Sequence, residues 1–251
     1  LVIFGVNMDR KSKPEKHSMA QWLNYRLREQ QVEISAGREA LLGDLTIPVN
    51  TRGLVLFAHG SGSSRLSPRN RHVAQVLNEA GLATLLFDLL TPREEQIDRM
   101  TREYRFNIGL LADRLAGATD WAIEYPDTQG LNIGYFGAST GAAAALIAAA
   151  QHPKQVDAVV SRGGRSDLAG PALGQVCAPV LLIVGGDDHE VIYLNQQALE
   201  QLRCEKALFI IPGASHLFEE PGKLDEAAKA ARDWFIRYLN GEPIPHEPTI
   251  R

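Results

Sequence analysis

A chain of 251 residues with 45% apolar content holds enough hydrophobic material for one large α/β unit and too much for a disordered chain. Its net charge of −4 gives no reason to expect nucleic acid as a partner, so any basic site must be local. Two cysteines without CxxC spacing, Cys177 and Cys204, argue against a disulfide framework or a zinc site and predict two unpaired core thiols in a reducing, cytoplasmic compartment.

In chain order, residues 1–31 stand apart, with six basic residues against three acidic ones. LVIFGV at the start is too short for a secretory core, and no apolar run approaches the ~20 residues of a membrane span. Ser18 and Gln21 have capping-box spacing, and Met19, Trp22, Leu23 and Leu27 share one face of a helix. An appended amphipathic helix is expected, docked on the main domain or on a second copy in a homodimer, with membrane-surface binding the lesser alternative.

From residue 32 the pattern is regular. VEIS and ALLGDLTIP read as a hairpin joined through AGRE. LVLFAHG, ATLLFDLL, LNIGYFG, VDAVVSRGG, PVLLIVGGDD and ALFIIPGASH read as strands, several of them apolar throughout. Strands of that kind are covered on both faces, which predicts a mostly parallel sheet. The helices between them are RNRHVAQVLNEAG, NIGLLADRLAGATDWAIEY, the alanine-rich run after Ser139, Leu194 to Arg203, and LDEAAKAARDWFIRYL. The fold class is α/β, doubly wound, with helices on both faces. Residues 32–240 form the domain and 241–251 a Pro-rich tail. Only a short connection separates Ser161 from Pro179, which leaves no room for a large cap domain.

Gly137-Ala138-Ser139-Thr140-Gly141 is a G-x-S-x-G between an apparent strand and an apparent helix. A serine on that turn is pushed into a strained conformation, flanking glycines relieve the crowding, and the helix N-terminus faces the reacting oxygen. Such a serine needs a base and an orienting acid, in the order Ser, Asp/Glu, His, on loops after later strands. GGDDHEVI offers the acid and PGASHLF offers His216. Asp187 and Asp188 both qualify; Gly185-x-x-Asp188-x-x-Val191 favours Asp188. The oxyanion donors are expected to be the backbone N–H groups of Thr140 and of Ser61, with Gly62 the reserve. His59 is expected to hold that loop rather than to do chemistry.

These stretches, with FAHGSGSS, GYFGASTGAAAA, LLIVGGDDHEVI and PGASHLFEEPG as they stand, resemble the α/β-hydrolase superfamily and its dienelactone-hydrolase-like branch over about residues 32–240. The resemblance implies a catalytic Ser139–Asp188–His216 triad without metal or cofactor. Dienelactone hydrolases proper use a cysteine nucleophile, so Ser139 is a departure that shifts the expectation toward general esterase activity. Relatives of this kind are sometimes fused to a phosphoribosyltransferase domain, and none is visible in the sequence.

Arg65, Arg69 and Arg71 lie beside the proposed oxyanion loop, and Arg162 and Arg165 follow the strand after the nucleophile helix. Such a cluster points to an anionic ester or lactone, with Arg65 and Arg162 the favoured contacts; the alternative is a set of solvated or salt-bridged surface arginines. Gly60-Ser61-Gly62 lacks the lysine of a phosphate-binding loop, and the remaining histidines lack ligand spacing. The expected activity is hydrolysis of small carboxylic esters or lactones. Acyl transfer on the same residues, or a non-catalytic binding module with this fold, are the competitors.

Overall fold

A computed structural model describes residues 27–239; of the helix face expected from Met19 to Leu27 only Leu27 falls among them, and it is the first residue of a strand, while the Pro-rich tail lies outside. Eight strands form one sheet in the order β1-β2-β4-β3-β5-β6-β7-β8. β1 (Leu27–Ala36) and β2 (Glu39–Pro48) make an antiparallel hairpin through Gly37, which takes φ 67° at the first loop position. β1 begins five residues earlier than the pattern VEIS indicates, because Leu27 to Gln31 continue the ladder opposite Asp44 to Pro48.

β2 pairs antiparallel with β4 (Ala83–Phe87). β3 (Leu54–Ala58), β4, β5 (Ile133–Ala138), β6 (Val156–Arg162), β7 (Val180–Gly185) and β8 (Lys206–Ile211) run parallel. The apolar runs are explained by two-sided burial. Along β3, Leu54 and Leu56 join one core cluster while Val55 and Phe57 join the other.

Helices α1 (Pro68–Glu79) and α6 (Lys223–Leu239) supply Val73, Leu77, Phe235 and Leu239 to one face. α3 (Ile108–Glu124), α4 (Thr140–Gln151) and α5 (His189–Gln201) supply Leu111, Leu115, Leu146 and Ala198 to the other. α5 starts five residues before the expected Leu194. A further helix, α2 (Pro92–Thr101), occupies a stretch to which the sequence pattern assigned nothing. Its start is a full capping box, with the Thr91 hydroxyl accepting from the Glu94 N–H at 3.2 Å and Glu94 accepting from the Thr91 N–H at 2.8 Å.

The two cysteines are free, as expected, but neither is a core thiol: Cys177 is exposed and Cys204 only half-buried. Both lie where the chain returns to the edge of the sheet, next to β7 and β8.

The strand order fixes where a ligand can sit. After β3 the chain goes to β4 on one side, then crosses to β5 on the other. The crevice at such a reversal, beyond the C-terminal strand ends, is the usual binding position in open α/β sheets. Register completes the arrangement. Ala58 lies opposite Gly137, Ala138 opposite Arg162, and Gly185 opposite Ile211. The loops that follow these strands therefore emerge side by side.

Candidate active site

Ser139 sits between β5 and α4 with φ 51° and ψ −122°. A non-glycine residue in that conformation carries backbone strain, which persists only where its surroundings enforce it. Two contacts do so: the Ser139 N–H donates to the Arg162 carbonyl at 3.3 Å, and its carbonyl accepts from the Arg165 N–H at 3.0 Å. A Cβ at Gly141 would run into the carbonyl oxygens of Ala58 and His59, so only glycine lets α4 approach β3 this closely. Ser139 is the N-cap of α4, yet its hydroxyl makes no capping bond. The group is left available at a helix N-terminus.

Asp188 and His216, the candidate acid and base, come from the two neighbouring loops. Asp188 is the N-cap of α5 and likewise makes no capping bond. Its Oδ2 lies 2.6 Å from His216 Nδ1. Asp188 is thus the aspartate bonded to the histidine, while Asp187 is held through its backbone N–H to the Ala214 carbonyl at 3.0 Å. With Nδ1 engaged by a carboxylate, Nε2 is the free ring nitrogen of His216. The loop carrying His216 is braced by Glu220, which accepts from the Ser215 N–H at 3.0 Å. That bond holds the Glu220 carboxyl below the usual carboxylate range.

Ser139 and His216 line one cleft of about 190 Å³ together with Ser61, Arg69, Asn70 and Arg162. On the side of β3, a Cβ built at Gly60 would lie 3.0 Å from the Ser139 Cβ, so the loop passes directly beside the serine. Ser61 Oγ is 2.9 Å from Thr140 Oγ1, which ties this loop to the first turn of α4. His59 is buried, and its two nitrogens are bonded to different partners. Nε2 accepts from the Leu89 N–H at 3.1 Å, which leaves Nδ1–H to donate to the Gly60 carbonyl at 3.0 Å. Burial pulls its pKa below the usual histidine value, against smaller raising effects from Gly60, Asp88 and Glu95. A neutral histidine thus joins the loops after β3 and β4.

The arginines divide differently from the sequence expectation. Arg65 does not line the cleft. Its backbone N–H and Nη1 donate to Asp88 at 2.8 and 2.5 Å, and Asp44 lies 3.6 Å from its Nε. Its charge is satisfied by two carboxylates from β2 and the end of β4, so a substrate contact is not where the fold puts it. Arg71 pairs with Asp44, and Arg165 makes a two-pronged pair with Asp167. Of these five arginines, Arg162 and Arg69 are the two that line the cleft with the serine. Arg162 is 7% exposed, no acidic side chain pairs with it among the described residues, and burial, then the charge of Arg69, pulls its pKa down to about 10.

The fold has close counterparts. A sequence model of the dienelactone hydrolase family matches residues 45–240. A crystal structure of a dienelactone hydrolase from Anabaena variabilis is 63% identical, with a TM-score of 0.84 over 85% of this chain and 99% of that one. Est1E from Butyrivibrio proteoclasticus, 16% identical over 82% of this chain and 97% of its own, shares the fold with a TM-score of 0.69. Two Mycobacterium tuberculosis proteins provisionally named phosphoribosyl transferases are 57% identical over 215 residues, 86% of this chain and 48% of theirs. The chain spans about half the length of those curated relatives. With its family match running over most of the domain and its sheet, elbow serine and strand-end loops as described, this chain belongs to the dienelactone hydrolase family.

Proposed function

We propose that this protein is a hydrolase that cleaves small carboxylic esters or lactones through an acyl-enzyme on Ser139. The observation that carries the reading is that a strained elbow serine and a histidine line the same cleft, that histidine being bonded to Asp188 at 2.6 Å. His216 Nε2 takes the Ser139 proton as the hydroxyl oxygen attacks the carbonyl carbon. The oxyanion is held by the N–H groups of Thr140 and Ser61, and His216 then hands the proton to the leaving oxygen. Water, deprotonated by the same imidazole, releases the acid and restores the serine. Asp188 keeps the proton on Nδ1 and stabilises the imidazolium without taking the proton itself.

A cleft of about 190 Å³, with no inserted domain between β6 and β7, suits a short acyl group better than a long lipid. Ser139→Ala should lower turnover of p-nitrophenyl esters by about 10⁶, as removal of the nucleophile does in comparable triads, with the melting temperature retained. A variant that keeps more than a hundredth of the activity would remove the reading.

A further inference from the structure

The turn that carries Ser61 has a support that belongs to none of the candidate catalytic residues. Within the turn, the Ser63 N–H donates to the Gly60 carbonyl at 3.1 Å, and Gly62 takes φ 68°. A left-handed third residue fixes which way the central peptide of a four-residue turn points, and glycine adopts it without strain. Ser61 Oγ is tied to Thr140 on one side, and His59 holds the Gly60 carbonyl. The remaining side rests on Arg105: a Cβ built at Gly62 would come within 3.3 Å of Arg105 Nη1. Residues 60–63 share with Arg105 and Asp98 a void of only about 10 Å³, the lower limit for one water.

Arg105 is fixed by its own partners. It lies in the connection between α2 and α3, facing back onto Asp98, which is fully buried near the end of α2. The Asp98 carboxylate accepts from the N–H groups of Tyr104 and Arg105 at 2.9 Å each and from Arg105 Nε at 2.5 Å. Arg105 Nη2 donates to the Asp98 carbonyl at 3.2 Å. These bonds set the plane of the guanidinium and leave Nη1 as the edge against Gly62. Helix α2 is in turn pinned to α3, where Glu94 meets Arg114 at 2.8 Å. A buried charge pair adds little net stability, and its better-attested use is to specify one arrangement. Here the arrangement specified lies directly behind Ser61.

We infer that Arg105 is a positioning residue for the oxyanion site: Asp98 holds its guanidinium behind the Ser61–Gly62 peptide and so keeps the Ser61 N–H on its line. Arg105 is not among the residues that line the cleft with Ser139 and His216, so it acts through the turn. The inference rests on the reading of Ser61 as an oxyanion donor to an ester attacked by Ser139. A donor aimed at the developing oxyanion counts in the transition state, so its misplacement lowers kcat and leaves KM.

Arg105→Lys tests it. The ammonium can still neutralise Asp98, but a point charge cannot both pair with that carboxylate and stand against Gly62 as the fork does. With p-nitrophenyl acetate, kcat should fall about 10- to 100-fold while KM stays within about threefold of wild type. A short alkyl trifluoromethyl ketone supplies the readout that lost stability alone would not move. The Ser139 oxygen bonds to its carbonyl carbon, the serine proton passes to His216, and a hemiketal oxyanion is left in the site. Its inhibition constant should rise by the same factor as kcat/KM falls. If the lysine variant does not fold, Asp98→Asn/Arg105→Met removes both charges together and should give the same two changes. Unchanged kcat in a folded variant overturns the inference. So does a loss of kcat with inhibitor affinity retained, or a rise in KM alone. A wild-type protein that neither turns over the ester nor binds the ketone refutes the esterase reading itself, and the positioning role falls with it.

Discussion

Asp188 and His216 meet in a single 2.6 Å contact, whereas the neighbouring Asp187 is held through its backbone N–H to the Ala214 carbonyl. Asp188→Asn removes the carboxylate that keeps the proton on Nδ1, so kcat should fall by about 10⁴ while the cleft keeps its shape. Asp187→Asn, scored in the same assay, should stay within a few-fold of wild type; the reverse order would reassign the acid. His59 gives a residue-level expectation about pH. Burial keeps it neutral in the folded protein, whereas in the unfolded chain it titrates near the ordinary value of 6.5. Above that value neither state holds the extra proton and nothing is lost. As pH falls from 6.5 toward the lower folded value, the unfolded chain takes up a proton that the native protein refuses, and stability declines. Thermal melts between pH 7.5 and 5.5 should therefore show a decline that is shallower in His59→Asn. Parallel curves would mean that His59 is not the group responsible.

At the scale of elements, Arg65 joins three of them, linking the loop after β3 to β4 through Asp88 and to β2 through Asp44. With side chains about a fifth exposed, the pair to Asp88 is largely withdrawn from water. Arg65→Met should cost about 1–3 kcal/mol by taking the guanidinium from Asp88, which keeps only the backbone N–H of residue 65. Urea denaturation measures this, and the variant should show no selective loss toward anionic esters. Such a selective loss would return Arg65 to the cleft. Ser139, Asp188 and His216 could be read from the chain as candidates because each is announced by residues beside it: glycines flank Ser139, Gly185 precedes Asp188, and Gly213 precedes His216. Arg65 carries no such local mark. Its partners are on other strands, and a pairing made only by the fold leaves no trace in the neighbouring sequence. Helix α2 is a different case. Its ten residues include only Ile97 and Met100 as large apolar side chains, too few to show a helical period, although the capping box at Thr91 and Glu94 was present to be read.

At the scale of the whole molecule, the doubly wound sheet was legible because its apolar runs are set by two-sided burial, a property each strand carries alone. The strand order was not, since it depends on which edges meet. That order brings the loops after β3, β5, β6, β7 and β8 to one rim, where Ser61, Ser139, Arg162, Asp188 and His216 stand. The central claim is that this rim makes one particular hydroxyl reactive. Labelling with a fluorophosphonate followed by peptide mapping tests it most directly. The label should sit on Ser139 alone, at a rate reduced at least a hundredfold in His216→Ala. Modification of another residue, or equal rates in the two proteins, would contradict the account.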